Sequence, residues 1–289
     1  MAVGTYALTS LSNLKSWIGI NATTYDAILE DAIDRSTSII EAFCDRKLKS
    51  RTHYEWIQPN GERLLQVDNP PLVSIDTISY GRQVSFTVTS DTASTDVLAT
   101  VGFDGTSLRL RKVNAAGSGS TNTLSVETYP TTSQLVTQIT SSVSGWSATL
   151  TENAYARSLH RFGGRGVKDA PCDVHFPRDN VSEYEIETAM GLVNITADRF
   201  PGIRSDGAGI NRFPRGFFPV FVQYEGGYAT IPSDLEQVAI EIAADLYRDR
   251  LADRTLASEN LGDYSYTRSN VADMIQSRSH RLDAYREIR

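Results

Sequence analysis

The chain has 289 residues, with 28 basic and 35 acidic side chains and a net charge of −7 at pH 7. Hydrophobic residues make up 40% of the sequence, enough for two ordinary cores. The acidic excess lies in residues 1–80 and 216–289, so no segment has the basic excess of a protein that grips nucleic acid through phosphates. The start of the sequence has no leader-like pattern, and no apolar run approaches the roughly 20 residues of a membrane helix. We therefore expect a protein that is made in a cytoplasm, without a membrane anchor and with reduced cysteines.

Two helices are predicted at the start of the chain. The first covers about residues 8–20, with Thr9 or Ser10 as its cap and Gly19 as its stop. The second is predicted from about Tyr25 to Arg46, because apolar residues recur at helical spacing, with acidic residues near its start and basic residues near its end.

Strands are predicted after the second helix. Arg51–Ile57 and Glu62–Val67 flank a Pro-Asn-Gly turn at residues 59–61, which predicts a β-hairpin. The alternating segment Leu72–Tyr80 predicts a further strand.

A strand and a long helix are predicted late in the chain. Residues 220–225 alternate, and the pair Gly226-Gly227 permits a sharp bend. Ser233 and Glu236 have capping-box spacing, and a helix is predicted from Asp234 to Leu251.

Two segments of the chain resemble the head-tail connector (adaptor) proteins of tailed bacteriophages. One is Leu-Thr-Ser-Leu-Ser-Asn-Leu-Lys-Ser-Trp-Ile-Gly-Ile at residues 8–20, followed by a spacer and a long helix. The other is Tyr-Glu-Gly-Gly-Tyr at residues 224–228, followed by Ile-Pro-Ser-Asp-Leu and an Ala-rich helix. The resemblance covers residues 8–80 and 216–262.

The resemblance implies an α+β fold with a small helical adaptor core. That core has two N-terminal helices, a long helix in the C-terminal half and a few strands, from residues 1–80 and 216–262. Residues 81–215 are too long for a structureless link and become a removable, inserted β-rich domain. Residues 263–289 form a C-terminal arm.

Short alternating runs and one helical window are expected inside the insert. The predicted strands are Val84–Thr89, Val97–Phe103, Ser107–Arg111, Thr123–Tyr129 and Trp146–Leu150, and the helix is Thr131–Val143. A hairpin turn is expected at Asp104-Gly105.

The family resemblance implies a structural virion protein of the neck, without catalysis, cofactor or metal. In the family such proteins form a ring, dodecameric, under the portal. The ring lines the channel that DNA crosses without specific binding, and it offers a platform for the tail or stopper. The residues expected to line the channel are Glu241, Asp245 and Asp249. The residues expected to bind the portal lie in the arm: Tyr264, Tyr266, Arg268, Met274, Ile275, Arg278, Arg281, Leu282 and Tyr285.

Several alternatives stay open at this point. The protein could be another neck component, a stopper or terminator, although those are mostly β proteins. A role in binding or cleaving glycans through aromatic residues of the insert, such as Trp146 and Tyr155, is a further alternative. The arm could instead pack on its own core.

For three smaller patterns, an ordinary structural interpretation is favoured over a functional site. The Phe-Gly-Gly-Arg-Gly segment at 162–166 could cradle an anion, but it lacks the context of a phosphate loop and suits a flexible loop. His160, Cys172 and His175 are at most three scattered metal ligands. The alternating glutamates of 183–187 suit the exposed face of a strand.

Overall fold

The computed structural model describes residues 2–59, 61–62, 64–91, 95–181, 183–195, 220–250, 258–261, 264–267 and 271–286. Its helices are α1 (Leu11–Ile18), α2 (Asp26–Cys44), α3 (Thr132–Ser142), α4 (Ser233–Asp249), α5 (Val271–Gln276) and α6 (Ser279–Leu282). Its strands begin with β1 (Arg51–Ile57), β2 (Leu64–Gln66), β3 (Leu72–Tyr80), β4 (Gln83–Ser90), β5 (Asp96–Phe103), β6 (Ser107–Asn114), β7 (Gly119–Ser125) and β8 (Trp146–Leu150). They continue with β9 (Phe162–Gly166), β10 (Cys172–Phe176), β11 (Asp179–Asn180), β12 (Tyr184–Glu187), β13 (Leu192–Ile195), β14 (Val220–Gly226), β15 (Ser258–Leu261) and β16 (Tyr264–Thr267). The fold is α+β, as predicted.

The helical layer consists of α1, α2 and α4, which pack against one another. Ser10 caps α1 by accepting a hydrogen bond from the Asn13 amide, and Gly19 ends it in a left-handed conformation at φ 73°. The facing sides of α2 and α4 bury apolar residues such as Ile33, Ile40 and Ile242. Burial of these stripes, rather than helix propensity, accounts for most of the stability of such a layer.

The core sheet has the strand order β1-β14-β3-β11 and is antiparallel. The prediction of a hairpin between β1 and β2 is wrong. β1 pairs with β14, and β2 pairs with β13 in another sheet. β1 forms a ladder with β14 over its whole length, and β14 buries Val220, Val222 and Tyr224. The apolar strand β14 offers β1 a longer ladder than the three-residue β2 could. The Pro-Asn-Gly turn between β1 and β2 therefore does not decide the pairing.

The Gly-Gly pair after β14 is a packing requirement. A side chain at Gly226 would collide with the carbonyl oxygen of Asn69. Gly227 has φ +106°, and a Cβ there would lie 2.8 Å from the carbonyl oxygen of Leu48. The two glycines therefore let the chain pass between two neighbouring backbone segments at a sharp bend.

In the described residues between 83 and 176, the insert contains two antiparallel sheets and one α-helix. The sheet orders are β10-β4-β8 and β7-β6-β5-β9, and the buried residues of one apolar cluster run from Phe86 to Val174. The predicted helix is present as α3, where Thr131 and Gln134 form a capping box. The Asp104-Gly105 turn joins β5 to β6 as predicted, with Gly105 at φ 102°. The strand predicted at Thr123–Tyr129 ends earlier, at Ser125.

The insert joins the core through two consecutive strand pairs. Tyr80 on β3 pairs with Asp179 on β11, and Gln83 on β4 pairs with Phe176 on β10. After β11, Val181 and Val193 are packed with the core, since they belong to one apolar cluster with residues of β2, β3 and β14. The domain boundary at Arg215 stays a prediction, but strand pairing and packing assign these two valines to the core.

Candidate assembly surface

Two carboxylates predicted to line a channel lie on α4 beside two arginines of the predicted arm. Arg278 Nε lies 2.8 Å from Glu241 Oε2, and Arg278 Nη2 lies 2.7 Å from Asp245 Oδ2. Arg281 Nη2 lies 2.5 Å from Glu241 Oε2. The third predicted residue, Asp249, is the last residue of the helix. The acidic face of α4 is thus partly neutralised within the same chain.

The pKa of Glu241 reflects these contacts. Burial alone would raise it, but hydrogen bonds from Arg281 and Arg278 lower the pKa of this carboxyl to about 2. Glu241 stays ionised at neutral pH, and each arginine donates a charge-assisted hydrogen bond to it.

The described arm residues of α5, α6 and the following turn pack on the core. Leu282 is fully buried among residues of α2 and α4, and Met274 is buried as well. The hydroxyl of Tyr285 lies 2.6 Å and 2.7 Å from the two carboxylate oxygens of Asp234, and burial raises the pKa of this tyrosine. Ile275 is half-buried. This is the alternative in which the arm packs on its own core.

The rest of the predicted arm is described only in part. Tyr264 and Tyr266 lie on β16, which pairs with β15 in a two-stranded sheet. Arg268 lies outside the described residues.

A buried carboxylate that the sequence analysis missed holds α2 to β1. Glu41 accepts hydrogen bonds from Arg51 at 2.6 Å, from Lys47 at 2.8 Å and from the Leu48 amide at 3.2 Å. Its side chain is 7% exposed. The available signal was a glutamate next to the apolar stripe of α2, followed after the helix by basic residues that include Lys47 and Arg51.

A second hydrogen-bond network joins Asn69, in the loop between β2 and β3, to β14. The hydroxyl of Tyr224 donates to Glu55 at 2.5 Å and accepts a hydrogen bond from the Asn69 amide at 3.1 Å. Asn69 Nδ2 also donates to Glu55 at 3.0 Å. Burial raises the pKa of Glu55, and the hydrogen bonds from its partners act in the opposite direction. Tyr224, the first tyrosine of the Tyr-Glu-Gly-Gly-Tyr motif, therefore stabilises the fold.

The helical layer exposes several aromatic side chains. Trp17 on α1 is 53% exposed, and Tyr6 just before α1 is 44% exposed, with the Arg51 guanidinium 4.1 Å from its ring centroid. Tyr25, at the start of α2, is also exposed. Exposed aromatic residues of this kind are enriched in protein–protein contacts.

The core and the insert touch through aromatic residues on β1. Trp56 lies 4.6 Å from the His160 ring, and the hydroxyls of Tyr54 and Tyr155 are 3.2 Å apart. His160 Nε2 lies 3.1 Å from the carbonyl oxygen of Gly81. Burial lowers the pKa of His160 to about 4. The insert therefore rests against the core sheet as well as being joined to it.

The insert residues considered as metal ligands have other partners. His160 is occupied at the contact with the core, His175 Nδ1 lies 3.2 Å from Arg82 Nη2, and Cys172 is buried with a raised pKa because of its burial. Within the described ranges, no three His, Cys, Asp or Glu side chains gather as a metal site would require. None of the described helices is long and apolar enough to span a membrane.

Comparisons with known proteins support the resemblance at the start of the chain. Residues 8–80 match the family model of the phage gp6-like head-tail connector protein. That segment runs from just before α1 to the end of β3. No curated protein matches the chain. Among solved structures, a chain from the neck of an empty GTA particle is similar at 11% identity and a TM-score of 0.39, over 100% of this chain and 95% of that chain.

Proposed function

We propose that the protein is a structural component of a virion neck, a head-tail adaptor rather than an enzyme. The observation that carries the proposal is the match of residues 8–80 to the head-tail connector family. The buried Glu41 and the half-buried Glu55 join elements of the fold, which is consistent with a structural role.

In this proposal copies of the chain pack side by side as a ring beneath the portal. The ring has twelve copies, as the family resemblance implies, and offers a platform for the tail or stopper. The protein is made in the host cytoplasm and resides in the virion. The exposed aromatic residues Trp17 and Tyr6 on the helical layer suit contacts between copies, because such side chains bury large apolar areas.

Electron microscopy of the protein purified with its portal tests this proposal directly. We expect class averages with a ring of adaptor density against one end of the portal ring. A tube attached to tail proteins would instead favour a stopper or terminator. Absence of any assembly with portal would contradict the proposal.

The arm needs a test that leaves the fold intact. Truncation after Gly262 would remove Leu282 and Tyr285 from the core, so a loss of attachment would be ambiguous. We propose replacing Tyr264 and Tyr266 with serine, with Val97→Ser at an exposed position of the insert as the control. Loss of co-sedimentation with portal in the first variant alone supports portal binding by the arm. Unchanged occupancy in both variants would move the docking surface elsewhere.

The channel proposal concerns Glu241, Asp245 and Asp249 on α4. With Arg278 and Arg281 attached, this wall carries little net charge and should neither hold nor strongly repel phosphates. We expect only weak binding of duplex DNA at physiological salt. Submicromolar, salt-sensitive binding would contradict a passive channel and favour a nucleic-acid-binding protein.

A further inference from the structure

The outer face of the insert sheet β7-β6-β5-β9 carries an open groove of about 550 Å³. Ligand-binding clefts in proteins commonly have volumes of about 300–1,000 Å³. This groove lies on the insert, away from the α4 surface considered above, and all four strands of the sheet contribute to its lining.

One side of the groove has a floor of glycines. Gly102 on β5 lies beside Gly163 and Gly164 on β9, and a Cβ at Gly102 would be 3.5 Å from the Gly163 backbone. A Cβ at Gly163 would meet nothing within 4 Å. The missing side chains leave room for a flat group to approach the backbone closely.

The other side of the groove carries arginines and threonines. Arg111 on β6 pairs in register with Thr100 on β5 and Thr121 on β7, so the three residues form one row across the sheet. Arg109 occupies the next row, opposite Gly102. All five residues line the groove.

The two arginines differ in their partners. Arg109 Nη2 lies 2.9 Å from Asp104 Oδ2. Asp104 is itself fixed by the amides of Thr106 and Ser107 in the β5–β6 turn. Arg111 is exposed and has no carboxylate partner within the described part of the chain. Among the described residues, the guanidinium of Arg111 therefore lies in the groove without an ion-pair partner.

We propose that this groove binds an anionic saccharide, through a carboxylate or phosphate group held by Arg111. A guanidinium can donate two parallel hydrogen bonds to either group, and the hydroxyls of Thr100 and Thr121 can bond sugar hydroxyls. The glycine floor accepts the face of a sugar ring, and the half-buried Phe162 lines the same groove.

The composition of the groove favours a saccharide over nucleic acid. Duplex DNA is held by many phosphate contacts, whereas this groove offers two cations, one of them paired with Asp104. A uronate or phosphosugar needs a single anion contact together with hydroxyl partners.

Isothermal titration of the full chain tests the proposal with four probes. These are a β-linked glucuronate tetrasaccharide, the matching neutral glucose tetrasaccharide, glucose 1-phosphate and a 20-base-pair duplex DNA. We expect binding to the uronate, the phosphosugar or both, at least about tenfold tighter than binding to the neutral tetrasaccharide. Binding of only one of the two anionic sugars identifies whether carboxylate or phosphate is the natural group.

Two variants with matched controls localise the binding. Arg111→Gln removes the cation, and Gly163→Leu fills the groove at a position where a Cβ meets open space. Arg35→Gln changes an exposed arginine on α2. Ser142→Leu adds the same side chain at an exposed position of α3 that does not line the groove.

We expect each groove variant to weaken binding about tenfold or more and each control to leave it unchanged. Four results would overturn the proposal: no binding of either anionic sugar, equal binding of the neutral probe, preference for DNA, or anionic-sugar binding that both groove variants leave intact. Should Arg111→Gln fail to fold, the outcome for Gly163→Leu decides.

Discussion

Glu241 connects α4 to the C-terminal segment because it accepts hydrogen bonds from both Arg278 and Arg281. Its side chain is 22% exposed, so the contacts are shielded from much of the solvent screening that weakens surface ion pairs. Arg278 and Arg281 therefore hold the C-terminal segment against α4.

We predict that Arg281→Gln lowers the free energy of unfolding at pH 7 by about 1–2 kcal/mol, since it removes charge-assisted hydrogen bonds to Glu241. The pKa of Glu241 is lowered from 4.5 to about 2 in the folded protein. Its contribution is therefore present above pH 4.5 and is lost as the pH falls toward 2. Urea denaturation at pH 7 and pH 3 should show a smaller difference between the two proteins at the lower pH.

Arg248→Gln is the matched control for that measurement. Arg248 is 64% exposed and lies 3.7 Å from Asp245, so its removal should change stability by less than about 0.5 kcal/mol. Equal effects at positions 248 and 281 would contradict a structural role for the arm contacts.

The burial of His53 predicts that the free energy of unfolding decreases in acid. Its ring stacks on Tyr224 at 5.1 Å, its Nε2 is buried without a hydrogen-bond partner among the described residues, and burial lowers its pKa from 6.5 to about 4. The unfolded chain binds a proton here at a higher pH than the folded one. The free energy of unfolding should therefore fall as the pH drops from 6.5 to 4.

His53→Phe keeps an aromatic ring against Tyr224 and removes the titrating group. We expect thermal denaturation of this variant to show a flatter dependence on pH between 6.5 and 4 than the wild type. His160, whose pKa is also lowered to about 4, should account for part of the remaining slope. An unchanged slope in His53→Phe would contradict this assignment.

At the scale of single elements, Glu236 does not form the capping box that its spacing with Ser233 predicted. α4 begins at Ser233, its N-cap is Pro232, and no side chain caps it. Glu236 Oε1 instead accepts hydrogen bonds from Thr9 at 3.1 Å and Asn13 at 2.7 Å. The carboxylate joins α4 to the start of α1, because a partner from a neighbouring helix won over the local one.

The two substitutions Glu236→Ala and Ser233→Ala should therefore differ. The first removes the bonds to α1, and we expect a loss of about 1 kcal/mol in the free energy of unfolding. The second should cost less than about 0.5 kcal/mol, since Ser233 is not the cap. Urea midpoints measured side by side distinguish the two cases, and a larger loss at Ser233 would restore the capping-box interpretation.

The sequence was sufficient for elements whose signals are local. The ends of α1, the register of the apolar stripes on α2 and α4, and the Asp104-Gly105 turn all followed from spacing and turn chemistry. Strand partners did not, because the choice between β2 and β14 as the neighbour of β1 depends on a segment more than 150 residues away. The groove on the insert was equally out of reach, since it needs residues of four strands to be brought into register.

At the scale of the whole molecule, the chain enters the insert at β4 and leaves it at β10, and Gln83 and Phe176 at these two points pair with each other. Because Gln83 and Phe176 are neighbours in one ladder, the chain between them can be removed and its ends closed by a short linker. Replacing residues 83–176 with four Gly/Ser residues should leave a folded core. The variant should also carry Trp56→Gln, since removal of the insert uncovers that side chain.

The longer replacement of Gly81–Arg215 is the comparison. It removes Val181 and Val193 from the core cluster and takes β13 away from β2. We expect the shorter deletion to give a monodisperse protein with helical circular dichroism, and the longer one to be less stable or to aggregate. Equal stability of the two would return the boundary to Arg215.

Trp56 lies at the contact between the core and the insert. Its ring centroid is 4.6 Å from that of His160 and 5.2 Å from that of Phe221. An imidazole quenches indole emission more strongly once it is protonated, so the brightness of this fluorophore depends on the charge and the distance of His160. With Trp17 and Trp146 replaced by phenylalanine, the remaining emission would dim as His160 titrates near pH 4 and brighten if the insert swung away. The fluorescence of Trp56 therefore reports whether the core and the insert stay in contact.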